Sequence, residues 1–366
     1  MLTIGVEEEY LLVSPATGVP VARAAQVLAA AGLHPAVEHG EVQRELLQAQ
    51  LEVATPVCRG LDELGGHLLR LRHCLSDAAE ACGCRLAACG SAPFTDRLPV
   101  PVTPSVRYRR MRRDAPALTD EQLINGMHVH VGVPGRTEGV AVLNGLRPWL
   151  PVLTALSANS PLWRGRDTGF ASWRTVVFGR WPVSGVPPSF ADAADYDRRL
   201  HHLIATGLVR DTAQVYWQAR LSERYPTVEV RAMDVQMRAD EAVLLAALVR
   251  ALAARILAPD RPAALPPAPP ELLQTAAWYA ARHGIAERLP DPATGTLGPA
   301  ADAAGALLAA VGPELRASGD LERIDEALHR LLAGGNGAVR QRRRLRQTGR
   351  KGLVRMITDE TGGVLL

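Results

Sequence analysis

The stretch TIGVEEEYLLV, residues 3–13, begins and ends as a buried β-strand yet carries Glu7, Glu8 and Glu9 in its middle. Side chains alternate across a strand, so Glu7 and Glu9 share one face about 7 Å apart and Glu8 takes the other. Like charges that close repel unless a cation lies between or beyond them. Alone, the triplet fits a solvated edge strand. Whether it lines a site depends on what other strands bring beside it.

Three further segments place polar, metal-competent side chains on apolar strands. In QRELLQAQLEVATP, residues 43–56, Gln48, Gln50 and Glu52 share one face. Glu45 lies seven positions before Glu52, and an odd separation puts the two on opposite faces of a regular strand, so a site using both requires a bend or a bulge. In NGMHVHVGV, residues 125–133, His128 and His130 project together, a spacing that lets one imidazole hold a metal while the other touches a phosphate. A packed surface strand with incidental histidines is the alternative. In RYPTVEVRAMD, residues 224–234, Glu229 and Arg231 share a face with Thr227, which alone is no more than a strand salt bridge. Together, Glu7, Glu9, Glu45, Glu52 and Glu229 with one histidine make an oxygen-rich cage of the kind Mg²⁺ prefers, and Mg²⁺ bridges to substrate phosphates. The chain has no GxxxxGK[ST] and no strand-linked GxGxxG. Nucleotide phosphates would therefore rest on metals and arginines.

Arginine and aromatics concentrate in SANSPLWRGRDTGFASWRTVVFGRWPVSG, residues 157–185, which holds Arg164, Arg166, Arg174 and Arg180 with Trp163, Trp173, Phe178 and Trp181. The guanidinium fork fits carboxylate or phosphate oxygens, and Gly165, Gly169 and Gly185 let backbone approach a ligand. Such a patch also suits nucleic acid, but the formal net charge of +3 over 366 residues favours a small anionic substrate and gives no reason to expect nucleic acid or membrane as partner.

Strand patterns occupy residues 2–13, 46–54, 85–91, 126–133, 213–219 and 226–234, and helical patterns residues 21–31, 60–82, 137–158, 188–207 and 239–257. They do not alternate regularly, which predicts an α+β fold with a mainly antiparallel sheet. A proline-rich connector over 258–271 separates a core, 1–257, from a portion, 272–366, that reads as helical throughout and packs on the core within a single catalytic domain, 1–366. The five cysteines are odd in number and form no CxxC pair, so they read as reduced thiols. The N-terminus lacks a basic region followed by an apolar stretch, and no run reaches 18 uninterrupted apolar residues. A soluble cytoplasmic protein is expected.

The segments GVEEEY, LLQAQLEVATPV, GMHVHVGV, LSANSPLWRGRDTGFASWR, RYPTVEVRAMD and GAVRQR resemble, in that order, the carboxylate–amine ligases of the glutamate–cysteine ligase type 2 (YbdK-like) group, relatives of glutamine synthetase. The match runs from residue 4 to about residue 257 and returns at 337–342. The resemblance implies a curved, mainly antiparallel sheet of about six strands forming a funnel-shaped active site covered by helices. ATP would enter one end and the amino-acid substrate the other. It implies that ATP phosphorylates a glutamate side-chain carboxylate and that an amine such as cysteine then displaces phosphate. Carried over, Glu7, Glu9, Glu45, Glu52, His128 and Glu229 become ligands of Mg²⁺, with Mn²⁺ as a substitute. His130 lies beside the nucleotide phosphates, with Arg166 as a further phosphate contact. Arg231 steadies the transferring phosphoryl group, and Arg164 and Arg174 meet substrate. Glu8, facing away, is structural. Tyr10 stands where the group often has phenylalanine. A homodimer is the expected assembly. The same cage suits a metal-dependent amide hydrolase, and the same fold a nucleotide-binding or regulatory paralogue without turnover.

Overall fold

The computed structural model describes residues 1–38, 40–96, 99–259, 265 and 268–363, so half of the proline-rich connector expected over 258–271 lies outside the described residues. Its strands are Ile4–Val13 (β1), Val42–Arg44 (β2), Gln50–Ala54 (β3), Arg85–Ala87 (β4), Gly126–Gly132 (β5), Leu162–Trp163 (β6), Arg166–Asp167 (β7), Ala219–Leu221 (β8), Thr227–Asp234 (β9), Arg288–Pro290 (β10) and Leu297–Pro299 (β11). Seven of them form one sheet, in the order β2-β3-β1-β5-β9-β8, with β4 pairing the far end of β1. Every pairing in it is antiparallel. The acidic strand is therefore not an edge: β1 is hydrogen-bonded on both sides, to β3 on one and to β5 and then β4 on the other.

Alternation along β1 sorts its residues. Ile4, Val6, Glu8 and Tyr10 are buried on one face, while Gly5, Glu7 and Glu9 are partly open on the other. The buried face packs on two helices. Leu61–Ala81 sends in Leu64, Leu68, Leu71 and Leu75, and Ala239–Leu257 is buried nearly all round, as the apolar run from Ala242 to Val249 requires. Ile4, Val6, Leu68, Val129 and Leu244 share a core with Leu307 and Val311 of helix Ala300–Ser318 and Leu328 of helix Leu321–Gly334. The C-terminal helices thus back the helix that backs the sheet.

Glu8 sits in that apolar layer with no solvent exposure. Arg72 meets it with two hydrogen bonds, Nε to Oε2 at 3.0 Å and Nη2 to Oε1 at 2.5 Å, and Tyr10 Oη donates to Oε2 at 2.5 Å. The guanidinium also donates to Gln236 O and Met237 O, both at 2.9 Å, so one buried ion pair joins β1, the helix Leu61–Ala81 and the segment after β9. The hydroxyl that distinguishes Tyr10 from phenylalanine is used here, on the side away from the acidic face.

Several sequence expectations shift. The strand expected over 46–54 is realised only as β3, Gln50–Ala54; a turn in which Gln50 N donates to Leu47 O at 2.9 Å precedes it, and β2 lies before the expected range. The strand expected over 213–219 starts only at Ala219. Its bulky residues Val215, Tyr216 and Trp217 are buried, but Gln218 N bonds Gly185 O instead of a ladder partner. The 137–158 pattern divides at Pro148 and Pro151 into Arg136–Leu146, a 3₁₀ turn and Leu150–Ser157. By length and composition this stretch could cross a membrane, yet 78% of its most apolar window is buried within the fold. The C-terminal portion is not helical throughout: β10 and β11 form a hairpin closed by Asp291, which accepts from Ala293 N and Thr294 N. Three-residue strands containing Pro290 and Pro299 are too short to show a period of two.

Removing one partner of a buried ion pair strands the other charge. Arg72→Ala is expected to lower the unfolding free energy by about 3–5 kcal/mol in urea denaturation, and Arg72→Met combined with Glu8→Leu to recover most of that loss.

Candidate active site

Directly opposed residues of an antiparallel pair share a face. Glu9 faces Glu52 across β1 and β3, and Glu7 faces His128 across β1 and β5. His130 faces Glu229 across β5 and β9, and Arg220 faces Glu229 across β8 and β9. The register therefore writes one polar row across five strands. Glu45, just past β2, reaches the same space because the chain turns between Glu45 and Glu52. The bend that their odd spacing demands is present. A bulge occurs as well, in β9: Met127 pairs with Met233 but Val129 with Val230, so Arg231 and Ala232 together oppose His128. All six expected ligands, with His130, Arg174 and Arg231, line one cavity of about 370 Å³.

The row is charged and close. His128 Nδ1 lies 3.0 Å from Glu7 Oε2 and 3.7 Å from Glu229 Oε1, and its Nε2 lies 3.9 Å from Glu9 Oε1. His130 spans Thr227 Oγ1 at 3.0 Å and Glu7 Oε1 at 3.4 Å. Glu229 accepts from Arg220 Nε at 2.7 Å and from Arg231 Nη1. Burial alone would raise the Glu7 pKa, but the hydrogen bonds and charges of His128 and His130 hold it far below the usual carboxylate range. Burial likewise opposes Glu229, yet the guanidiniums of Arg231 and Arg220 keep it ionised. Glu45 and Glu52 have no such partners. Burial and the Glu9 charge push Glu45 up to about 7. Burial and the charges of Glu45, Glu7 and Glu9 push Glu52 well above its ordinary value. Burial, then the Arg231 charge, lowers His128; burial also disfavours charged His130, but Glu7 and Glu229 raise it above its ordinary value.

This donor set suits a hard divalent cation. With its Nδ1–H on Glu7, His128 keeps a neutral Nε2 that is buried and has no hydrogen-bond partner. Ligand atoms of Glu7, Glu52 and His128 lie within 4.8 Å of one another, as do those of Glu7, His130 and Glu229. Carboxylate oxygens with one imidazole are what Mg²⁺ or Mn²⁺ accepts.

The guanidiniums divide. Arg174 is buried, and among the described residues it has no carboxylate within salt-bridge distance. Its Nη2 donates to Arg231 O at 3.3 Å, and its charge lies 5.2 Å from the Phe178 ring centroid. Burial lowers its pKa, so the fold holds a costly cation in place. Gly126 makes room for it: a Cβ there would stand 2.2 Å from Arg174 Nη2. The loop before Arg174 is held by Asp234, which accepts from Asn159 N at 2.8 Å, Ser160 Oγ at 2.7 Å and Ser172 Oγ at 2.8 Å, while Ser160 Oγ accepts from Arg174 N at 3.0 Å. Gln341, of the late GAVRQR segment, donates to Asn159 O at 2.9 Å, so that segment is a brace.

Arg164 and Arg166, expected beside substrate and phosphate, do not line this cavity. Arg164 and Gly165 form the two-residue turn between β6 and β7, both with positive φ, and Arg164 pairs with Glu121 at 2.6 Å on the surface. Arg166 is exposed on β7. The hairpin aims them away. Sequence reading missed Arg220, whose signal was a charge between buried Ala219 and Leu221. It also missed Arg107 and Tyr108, which reach the cavity from Val106–Asp114, a helix with no buried residue.

The family model of glutamate–cysteine ligase family 2 matches residues 3–360. The chain belongs to that family. A relative in Streptomyces coelicolor, provisionally named glutamate–cysteine ligase 2, is 45% identical over 354 residues, covering 95% of this chain and 96% of its own. The glutamate–cysteine ligase of Francisella tularensis, solved in complex with AMP, superposes with a TM-score of 0.72 at 14% identity, over 98% of this chain and 88% of that one. A bifunctional glutathione synthetase from Pasteurella multocida gives 0.73 at 16% identity, over 98% of this chain. This chain spans about half the length of that enzyme, 52%. At such identities the shared property is the fold of these ligases, an α+β architecture on a mainly antiparallel sheet.

Because Glu45 and Glu52 have raised pKa values, a cation binding them must displace protons. A raised carboxyl favours the fold below its ordinary pKa, near 4.5, and that contribution is lost as pH climbs through about 7. Mg²⁺ is therefore expected to bind more tightly, and to raise the melting temperature more, at pH 8 than at pH 6. Calorimetry in buffers of different ionisation enthalpy should detect proton release on binding.

Proposed function

We propose that this family member is an ATP- and Mg²⁺-dependent carboxylate–amine ligase, which activates the side-chain carboxylate of glutamate and joins it to an amine. γ-Glutamylcysteine is the simplest product. The observation that carries the reading is the single cavity in which five carboxylates and two imidazoles face the guanidiniums of Arg174 and Arg231. None of the five cysteines lines it, and phosphoryl transfer needs charge neutralisation and alignment more than a covalent nucleophile.

Glu7, Glu9, Glu45, Glu52, His128 and Glu229 would hold Mg²⁺, which supplies charge neutralisation for the triphosphate and draws its terminal phosphoryl group toward the nucleophile. His130, fixed by Thr227 and Glu7, would lie beside the phosphates, and the Glu7 and Glu229 charges that raise its pKa favour its cationic form there. Arg231, ion-paired to Glu229, presents its remaining donors to the transferring group. A glutamate carboxylate oxygen bonds to the γ-phosphorus as the bond to ADP breaks. The amine nitrogen then bonds to the acyl carbon, loses a proton, and expels phosphate. Arg174, buried and without a direct ion pair among the described residues, holds an anionic substrate group. Arg164 and Arg166 take no part in this scheme. Five free cysteines accord with the reducing cytoplasm, where ATP is supplied.

Incubation of the pure protein with ATP, Mg²⁺, glutamate and a panel of amines, followed by mass spectrometry, should show ADP and a new amide only when both partners are present. Amide cleavage without ADP would point to a hydrolase, and silence across the panel to a binding protein. Glu52→Gln and His128→Ala should each lower kcat by roughly a hundredfold or more, a few kcal/mol of barrier. Gly126→Ala, which displaces Arg174, should raise the KM of the anionic substrate held there at least fivefold while the protein still folds cooperatively, because overpacking costs only about 1–3 kcal/mol.

A further inference from the structure

Arg174, Phe178 and Arg231 also line a second cavity of about 370 Å³, set between the segment 174–186 and the helix Pro270–His283. Its character is different. Among the described residues no Asp or Glu lines it, and Val176, Val186, Ala277 and Trp278 give it apolar walls. Trp278 is 54% exposed and stands edge-on to Phe170, with ring centroids 5.5 Å apart. Three buried polar atoms on its lining residues have no hydrogen-bond partner: Arg174 Nε, Arg231 Nε and Gln218 Oε1. Gln218 lines this cavity and not the acidic one. Orphaned buried donors and acceptors are rare in folded proteins and ask for a ligand.

Two donors and an acceptor beside an apolar chamber match one kind of molecule. We propose that the second cavity receives the acceptor, and that the acceptor is an α-amino acid with an apolar side chain larger than that of cysteine. Its carboxylate meets Arg174 and Arg231, its amine turns an N–H toward Gln218 Oε1, and its side chain lies on Val186, Phe178 and Trp278. This rests on the ligase reading above. The donor carboxylate must sit on the acidic side, where the carboxylate and imidazole row is, so the cavity across the shared guanidiniums is left for the attacking partner. There the amine nitrogen forms its bond to the acyl carbon, the carbon–oxygen bond to phosphate breaks, phosphate departs with the electron pair, and nitrogen releases a proton. A basic side chain would find no carboxylate on these walls. A polar one would find Thr175, Ser184 and Gln274 on the lining but would lose the contact with Val186, Phe178 and Trp278 that an apolar side chain gains. Each methylene that an apolar pocket accommodates is worth about 10- to 200-fold in discrimination, so a chamber this size should favour leucine or phenylalanine over cysteine.

The test is kcat/KM for glycine, cysteine, leucine and phenylalanine as acceptors with ATP, Mg²⁺ and glutamate, alongside calorimetric binding of leucine and phenylalanine. Leucine or phenylalanine should exceed cysteine at least tenfold. Trp278→Ala, at a half-exposed position, should raise their KM at least fivefold and leave the KM for ATP and glutamate unchanged, with the melting temperature as the check that the fold survives. Gln218→Leu should do the same. Preference for cysteine or glycine, or a Trp278→Ala variant with an unaltered acceptor KM, overturns the assignment while leaving the ligase reading intact. If no amine supports ADP formation, the ligase reading falls and binding decides the rest. Leucine or phenylalanine binding that is lost in Trp278→Ala keeps the site, and no binding removes it.

Discussion

Like charges gathered on one face of a sheet govern this molecule. Glu7, Glu9, Glu52 and Glu229 lie on three strands of one sheet, the neighbours β3 and β1 and, across β5, β9, and antiparallel pairing gives them no room to diverge. The protein offsets the repulsion unevenly. On the β5 and β9 side, two imidazoles and the guanidiniums of Arg220 and Arg231 keep Glu7 and Glu229 ionised. On the β3 side, Glu45 and Glu52 have no comparable cation, and their pKa values rise instead. Such an arrangement is tolerable when a divalent ion can complete it, because the ion removes repulsion that the protein leaves uncompensated. The asymmetry also says where a cation is needed most, between Glu9, Glu45, Glu52 and the unpartnered Nε2 of His128.

An acidic front requires an apolar back. Helices Leu61–Ala81 and Ala239–Leu257 supply it, and Arg72 neutralises Glu8, the one member of the triplet on that side. Three consecutive glutamates thus have two unrelated fates separated by the thickness of one strand. The opposite charge occurs at Arg174, a buried cation that among the described residues has no carboxylate within salt-bridge distance, only the more distant charges of Glu9 and Asp234, and is kept there by hydrogen-bond geometry. Asp234, Ser160 and Ser172 fix its backbone, Gly126 clears its space, and Gln341 braces the loop from nearly two hundred residues away. A site that binds anions gains from this preorganisation, since the cost of burying the charge is met in folding and not at binding.

The chemistry of each strand was legible in advance because alternation is local. The separation of Glu7 and Glu9 from Glu8, the shared face of His128 and His130, and the need for a bend between Glu45 and Glu52 all follow from a period of two. Expectations drawn from composition alone fared less well. Arginine density marked residues 157–185, but of its four arginines only Arg174 reaches the acidic cavity. A two-residue turn carries Arg164 and Arg166 outward, and Arg180 pairs with Glu121. Aromatic bulk over 213–219 suggested a strand where side-chain burial, not a ladder, holds the chain extended.

By itself the sequence determined which residue types face which way: an apolar side and an acidic side for β1, paired imidazoles on β5, a carboxylate and a guanidinium together on β9. Tertiary structure alone decided who stands opposite whom. That His128 faces Glu7, that His130 faces Glu229, and that Asp234 holds the loop leading to Arg174 depend on hydrogen bonds between segments 60 to 120 positions apart. Periodicity carries no information at that range, because the register of two strands is set by the packing of both their faces and not by either one.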